Sequence, residues 1–172
     1  ILEIKKEFYN LSFNYPTRAL VEFNGNEFTE MSKSVADGTI ASDAKYFLRL
    51  YEAEGNAEFS DTQFVLTAQP ISKSWQEGTG KFGDNPKNKI GCSWENASNI
   101  LGGSPDSWDV SGGGVDVLAV SSSAQSFAAV SPDVNMDVTN MVNMWLKGQY
   151  TNNGMLIRFS GSQETDSLRF GH

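Results

Sequence analysis

Thr62-Gln63-Phe64-Val65-Leu66-Thr67-Ala68-Gln69-Pro70-Ile71 reads as a β-strand with protein on both of its faces. Strand side chains alternate with a period of two, so Phe64, Leu66 and Ala68 fall on one side and Val65, Thr67 and Ile71 on the other. Apolar or β-branched residues on both sides mark an interior strand. The same period recurs along the chain. Leu2, Ile4 and Phe8 alternate with Glu3, Lys5 and Glu7, and Ala19, Val21 and Phe23 alternate with Arg18, Leu20 and Glu22. Tyr46 to Tyr51 is a further run, and Val134, Met136 and Val138 flank Asn135 and Asp137. Met155, Ile157 and Phe159 around Leu156 and Arg158 complete the set. Ser, Asn and Gly make 50 of the 172 residues, a turn-rich balance that favours many short strands. An all-β fold is expected.

Two segments carry helical spacing instead. Phe28, Met31 and Val35 stand at i, i+3 and i+7 before Gly38, and Val138, Met141, Val142 and Trp145 stand at i, i+3, i+4 and i+7 before Gly148. Asp137 or Thr139 is placed to cap the second helix, and either glycine can take the left-handed conformation that ends a helix. From Gln76 to Ala128 periodicity fades, with Trp94 and Trp108 inside the stretch and Trp75 just before it, and a long loop excursion is expected there. Such a stretch is where a binding surface belongs. Gly112-Gly113-Gly114 and Ser121-Ser122-Ser123 read as flexible connections within one domain spanning residues 1–172, since strand signals on both sides are needed to complete one sandwich.

At this length a hydrophobic core can hold the fold without metal or disulfide staples. Cys92 has no partner within the chain, which excludes internal disulfides and CxxC redox chemistry. Twenty-one acids against 13 bases give a net charge of −8, which argues against nucleic acid as a ligand. No apolar run approaches the roughly 18 residues of a membrane-spanning helix, so no membrane insertion is expected. Ile1-Leu2-Glu3-Ile4 lacks the layout of a signal peptide, and a processing boundary is expected there.

Gly78-Thr79-Gly80-Lys81-Phe82-Gly83 matches the G-x-G-x-x-G spacing of phosphate-cradling loops. Asp84-Asn85-Pro86 follows, where the motif requires a helix, so a glycine-rich turn is expected and no cofactor. The sole histidine is His172, with no G-x-S-x-G elbow or H-E-x-x-H helix to supply hydrolytic or zinc chemistry. Glu77, Glu95, Asp109 and Asp137 offer the pair of carboxylates that sugar hydrolysis needs, but acids are plentiful in so acidic a chain, and a non-enzymatic protein is expected. Asp84, Asn85, Asp106 and Asp109 are weak calcium candidates, because calcium asks only for six to eight oxygens. Without the EF-hand pattern, a turn-forming role for them is the simpler reading. Asn10-Leu11-Ser12 and Asn96-Ala97-Ser98 match the glycosylation sequon and are read as chance occurrences.

Trp75, Trp94 and Trp108 all lie in the loop-rich middle. Exposed there, an indole can stack on a sugar ring or anchor a protein interface. Buried, the three would form a satellite core beneath the loop, the reading that packing favours. Trp145 belongs to the helical stripe and is expected in the main core.

Several of these residues together resemble the DNRLRE-type β-sandwich family. They are Arg18-Ala19-Leu20-Val21-Glu22-Phe23, Phe47-Leu48-Arg49-Leu50-Tyr51, Ser74-Trp75-Gln76-Glu77-Gly78-Thr79 with Trp94, and Asp137-Val138-Thr139 leading to Trp145, Gly148 and Asn153-Gly154-Met155-Leu156-Ile157. More narrowly, Ser34 to Ile40, Gly83 to Pro86, Gly112 to Gly114, Ser123 to Phe127 and Met136 to Thr139 are similar to virion structural proteins of tailed phages infecting marine cyanobacteria. The resemblance implies a jelly-roll-like antiparallel β-sandwich on a phage particle, with framework and turn signatures and no catalytic residue. In that family a further strand follows the position of Leu168-Arg169-Phe170. Its absence before His172 implies missing sequence or a sheet completed by a neighbouring subunit.

Two functions are therefore expected in turn. The first is a non-enzymatic virion module that contacts other virion proteins or copies of itself. The alternative is a carbohydrate-binding module that meets a host-surface glycan through Trp75, Trp94 or Trp108.

Overall fold

The computed structural model describes residues 4–9, 13–51, 63–80, 83–113, 122–128, 133–164 and 170–171. Strands dominate, every pairing among them is antiparallel, and two short helices interrupt them. The interior strand expected from Thr62 to Ile71 is β5 (Phe64–Pro70); it lies between β8 (Ser123–Phe127) and β10 (Met155–Phe159). β3 (Ala19–Val21) lies on the other side of β10, giving a four-stranded sheet in the order β3-β10-β5-β8. Its register sets Ile157 opposite both Ala19 and Ala68, and Phe159 opposite Leu66.

Alternation along these strands sends side chains to two different cores. Phe64, Leu66, Ala68, Phe127, Met155, Ile157 and Phe159 enter the main one, where Phe64 stacks on Phe127 at 5.2 Å and meets Phe159 edge-on at 5.7 Å. Ile71 and Leu156 point to the opposite face, where Leu20 also packs, and join Ala97 and Trp108 in a second, smaller cluster. Leu66, Ile157 and Phe159 are all fully buried.

Two further strand pairs and a three-stranded sheet complete the β-structure. β4 (Phe47–Leu50) pairs with β9 (Val134–Asp137) and contributes Leu48, Val134 and Met136 to the main core. The Gln125 side chain joins this ribbon to β8: its Oε1 accepts from the Asn135 backbone N–H at 2.7 Å and its Nε2 donates to the Asp133 carbonyl at 3.2 Å. β1 (Lys5–Tyr9) lies between β2 (Phe13–Pro16) and β11 (Phe170–Gly171). Ile4, just before β1, and Lys6 within it are both buried. Lys6, only 2% exposed, donates through Nζ to the Gln163 carbonyl at 2.5 Å.

Both helices fall where the apolar spacing puts them. α1 (Gly25–Ala36) buries no residue fully; it lays Phe28 and Met31 against the main core and ends ahead of Gly38 at φ +80°. α2 (Thr139–Leu146) sinks Met141, Val142 and Trp145, with Phe28 edge-on to Trp145 at 6.3 Å, and ends ahead of Gly148 at φ +64°. Asp137 Oδ1 accepts from the Thr139 backbone N–H at 2.9 Å, satisfying one of the donors a helix start leaves open. The Thr139 hydroxyl oxygen accepts from the Tyr46 N–H at 3.0 Å, tying the helix to the chain entering β4.

The expected loop excursion is real for most of its length, with two departures. β6 (Asn96–Ser98) and β7 (Asp106–Ser107) form a small hairpin within it, and β8 is an edge strand of the central sheet. Gly112 and Gly113 are buried rather than slack; Gly114 and Ser121 lie outside the described residues. Among the described residues no helix is long and apolar enough to cross a membrane.

Candidate functional site: a tryptophan cleft on the outer face of the central sheet

After Ile71 the chain turns back across the face of the central sheet that the main core does not use. Backbone bonds fix its path: Gln76 N–H donates to the Ala97 carbonyl (3.1 Å), Cys92 N–H to the Gln76 carbonyl (2.7 Å) and Gly91 N–H to the Asn99 carbonyl (2.8 Å). The crossing is so close that a Cβ on Gly91 would sit 2.1 Å from the Gly78 Cα. The first glycine of the G-x-G-x-x-G stretch thus serves backbone packing, and residues 83–90 form no helix for a phosphate to cap.

The three loop tryptophans come together here in different states. Trp108 is 7% exposed and donates from Nε1 to the Ser93 carbonyl at 2.9 Å. Trp75 packs on the same cluster and donates to the Asn153 carbonyl at 2.8 Å. Both indoles pack with the second cluster and line the cleft described next. Trp94 is 41% exposed, and its Nε1 has no partner among the described residues. Between the three lies a cleft of about 480 Å³, with Leu20 and Leu156 also lining it. This lies within the roughly 300–1,000 Å³ typical of small-ligand sites.

Arg18, at the corner between β2 and β3, organises one side of the cleft. Its Nε and Nη2 donate to Glu164 Oε1 (2.7 Å) and Oε2 (2.6 Å), a two-pronged pairing between side chains only 12% and 9% exposed. Nη1 donates to the Gly112 carbonyl, and the guanidinium carbon lies 4.6 Å from the centre of the Trp94 ring, in cation–π contact. The close approach explains Gly112: at φ +83° a Cβ there would lie 2.6 Å from Arg18 Nη1 and 2.9 Å from Trp94 Cζ2. Glu164 is delivered by a 3-10 turn, Gly161–Glu164, which is anchored to β5 where Gln163 Oε1 accepts from the Val65 N–H at 2.7 Å. Arg158, 3.8 Å from Glu164, also donates through Nε to Gln69 Oε1 at 2.9 Å. Burial, reinforced by the neighbouring Arg18 charge, holds Arg158 below the usual guanidinium range against the pull of Glu164.

Glu77 and Arg18 are the charged residues lining the cleft among those described. Glu77 has no hydrogen-bond or ion-pair partner among them. Beside it stands Cys92, whose half-buried thiol is pushed up mainly by burial, with the Glu77 charge adding to the shift.

The other carboxylates singled out by sequence do not gather at this cleft. Glu95 Oε2 accepts from the Ser111 hydroxyl at 2.7 Å. Asp137 sits at the start of α2, lining a separate polar pocket with Lys45 and Ser123. Asp137 is held below the usual carboxylate range by the Thr139 side chain and backbone N–H, with Lys45 assisting. Of the calcium candidates, Asp106 and Asp109 lie 3.0 and 3.9 Å from Lys73 Nζ. Asp84 and Asn85 belong to another loop, and among the described residues no three His, Cys, Asp or Glu side chains converge as metal ligands would. Asn96 of the second sequon accepts through Oδ1 from the Ser107 hydroxyl at 3.0 Å; Asn10 and His172 lie outside the described residues.

No family model matches the chain, and neither a curated protein nor a solved structure is significantly similar to it.

Proposed function

We propose that this chain is a non-enzymatic structural module of a phage virion, built on a jelly-roll-like sandwich and meeting other molecules through its outer cleft and sheet edges. The observation that carries the reading is where the resemblance residues fall. Arg18 to Val21 run into β3, Asn153 to Ile157 run into β10, and Trp75 with Trp94 border the cleft above those two strands. Asp137 to Trp145 form the start of α2, where Asp137 accepts from the Thr139 N–H, and its buried stripe. Phe47 to Leu50 form β4, so the framework residues are shared between the central sheet with its cleft and the β4-β9 pair with α2 that close the main core. β11 ends the three-stranded sheet, and an edge strand is the place where a neighbouring subunit can add a strand. Mass spectrometry of purified cyanophage particles tests the assignment: peptides such as that spanning Ser34 to Ile40 should be present in intact virions, and their absence refutes it.

The Trp94 face favours a second reading that is compatible with the first, carbohydrate binding. A half-exposed indole beside an open cleft, with two further indoles forming rigid walls, is an arrangement suited to stacking a sugar ring. Titration of host-surface polysaccharide against the native chain and Trp94→Ala tests it. Binding that survives the substitution unchanged removes the cleft from consideration.

A further inference from the structure

We infer that the cleft discriminates by charge, accepting uncharged sugar rings with neighbouring hydroxyls and rejecting acidic ones, and that Glu77 sets this preference. The inference rests on the carbohydrate reading above and adds the ligand's chemical class.

Arg18 is the cation that an acidic sugar would seek in the cleft. Its guanidinium is already committed: Nε and Nη2 point at Glu164, Nη1 is given to the Gly112 carbonyl, and one face covers Trp94. A sugar carboxylate would have to displace a buried, two-pronged partner, and the displaced Glu164 would then lack its main counter-charge. Arg158 gives no substitute, being held by Gln69 and Glu164 and forming no part of the cleft lining. The charge left for a ligand to meet is therefore Glu77, exposed and without a partner among the described residues, in a chain of net charge −8.

A carboxylate is purely an acceptor with two oxygens, so it can take hydrogen bonds from two adjacent hydroxyls of one ring while repelling a second carboxylate or a sulfate. The part of the Trp94 ring that Arg18 leaves exposed meanwhile offers an apolar surface on which the C–H side of that sugar ring can lie. Hydroxyl donors satisfied at Glu77 and a ring stacked at Trp94 define a small, uncharged, polyhydroxylated ligand. The cleft of about 480 Å³ suits a short stretch of a glycan.

Calorimetric titration of the intact chain with cellohexaose, xylohexaose and mannohexaose, in parallel with oligogalacturonate and oligomannuronate, tests this. At least one neutral oligosaccharide should bind about tenfold or more tightly than either uronate. Glu77→Gln should weaken that binding about tenfold, the cost of losing a charged acceptor, and narrow the gap to the uronates. Because Glu77 is exposed and unpartnered, its substitution should leave the thermal midpoint unchanged, which separates loss of recognition from loss of fold. Preference for a uronate, or neutral binding indifferent to Glu77→Gln, overturns the inference while leaving carbohydrate binding standing. No binding of any of the five overturns both.

Discussion

Glu164→Gln should be among the most damaging conservative substitutions in this protein. The carboxylate accepts from Arg18 at 2.7 and 2.6 Å and lies 3.8 Å from Arg158, so the change leaves two poorly solvated guanidinium groups facing an amide. Breaking a buried pair by removing one partner costs about 3–5 kcal/mol, because the remaining charge stays buried without compensation. For a chain of this size each kcal/mol moves the thermal midpoint by about 2–4 °C, so a drop of roughly 6–20 °C is expected. The exposed Lys33–Glu30 pair on α1, at 2.7 Å with side chains 65% and 71% exposed, provides the control. Lys33→Ala should cost no more than about 0.5 kcal/mol despite the similar distance. Urea unfolding followed by circular dichroism measures both, provided the slope against denaturant is the same for each variant. A loss under about 1 kcal/mol for Glu164→Gln, comparable with the control, would show that the Arg18–Glu164 pair is solvated like a surface pair. The account of the cleft wall built on it would then fail.

Three other outcomes are expected. Gly112→Ala should lower stability by about 1–3 kcal/mol and shift tryptophan emission, since a Cβ there meets both Arg18 and Trp94 at a positive φ; unchanged emission would contradict the contact. Asp137 has its carboxyl held below the usual range, so its stabilising effect is complete above the unfolded value of about 3.9 and is lost as pH falls through the lower folded value. Acid titration of Asp137→Asn should accordingly show a shallower fall in stability below pH 4 than the native chain, and identical slopes would refute the Asp137–Thr139 interaction. The raised Cys92 thiol should react with iodoacetamide at pH 8 several-fold more slowly in the folded chain than in urea; equal rates would place the thiol in open solvent.

The parts of the fold legible in the sequence are those where burial imposes a period. β5 alternates between buried and half-buried positions because one of its faces meets the main core, β10 is apolar almost throughout because both of its faces are covered, and α2 shows its stripe because Met141, Val142 and Trp145 all enter the core. β8 left no such mark: of Ser123-Ala124-Gln125-Ser126-Phe127 only Phe127 is fully buried, and Gln125 uses its side chain to bond the neighbouring strand. β6 and β7 are two or three residues long, too short for any period to register. At the cleft, composition located Trp75, Trp94 and Trp108 but could not rank them, because which indole packs beneath the loops and finds a carbonyl depends on contacts distant in sequence. The pairing of Arg18 with Glu164 spans 146 residues and has no local signature at all. Arg18 stood out as a polar position in an alternating run and as the first residue of a framework motif, and Glu164 not at all.

One strand serves two cores, and this gives the sheet a division of evolutionary labour. Met155 and Ile157 answer to the main interior, whereas Leu156 between them answers to the layer of indoles above. Leu20 and Ile71 hold the corresponding positions on or beside the flanking strands. A lineage that exchanged the overlying loop for one of different shape would need compensating changes at these three aliphatic side chains and could leave the residues of the main core alone. Saturation mutagenesis should show it directly: tolerance at Leu20, Ile71 and Leu156 should vary with the identity of the overlying loop, and tolerance at Met155 and Ile157 should not.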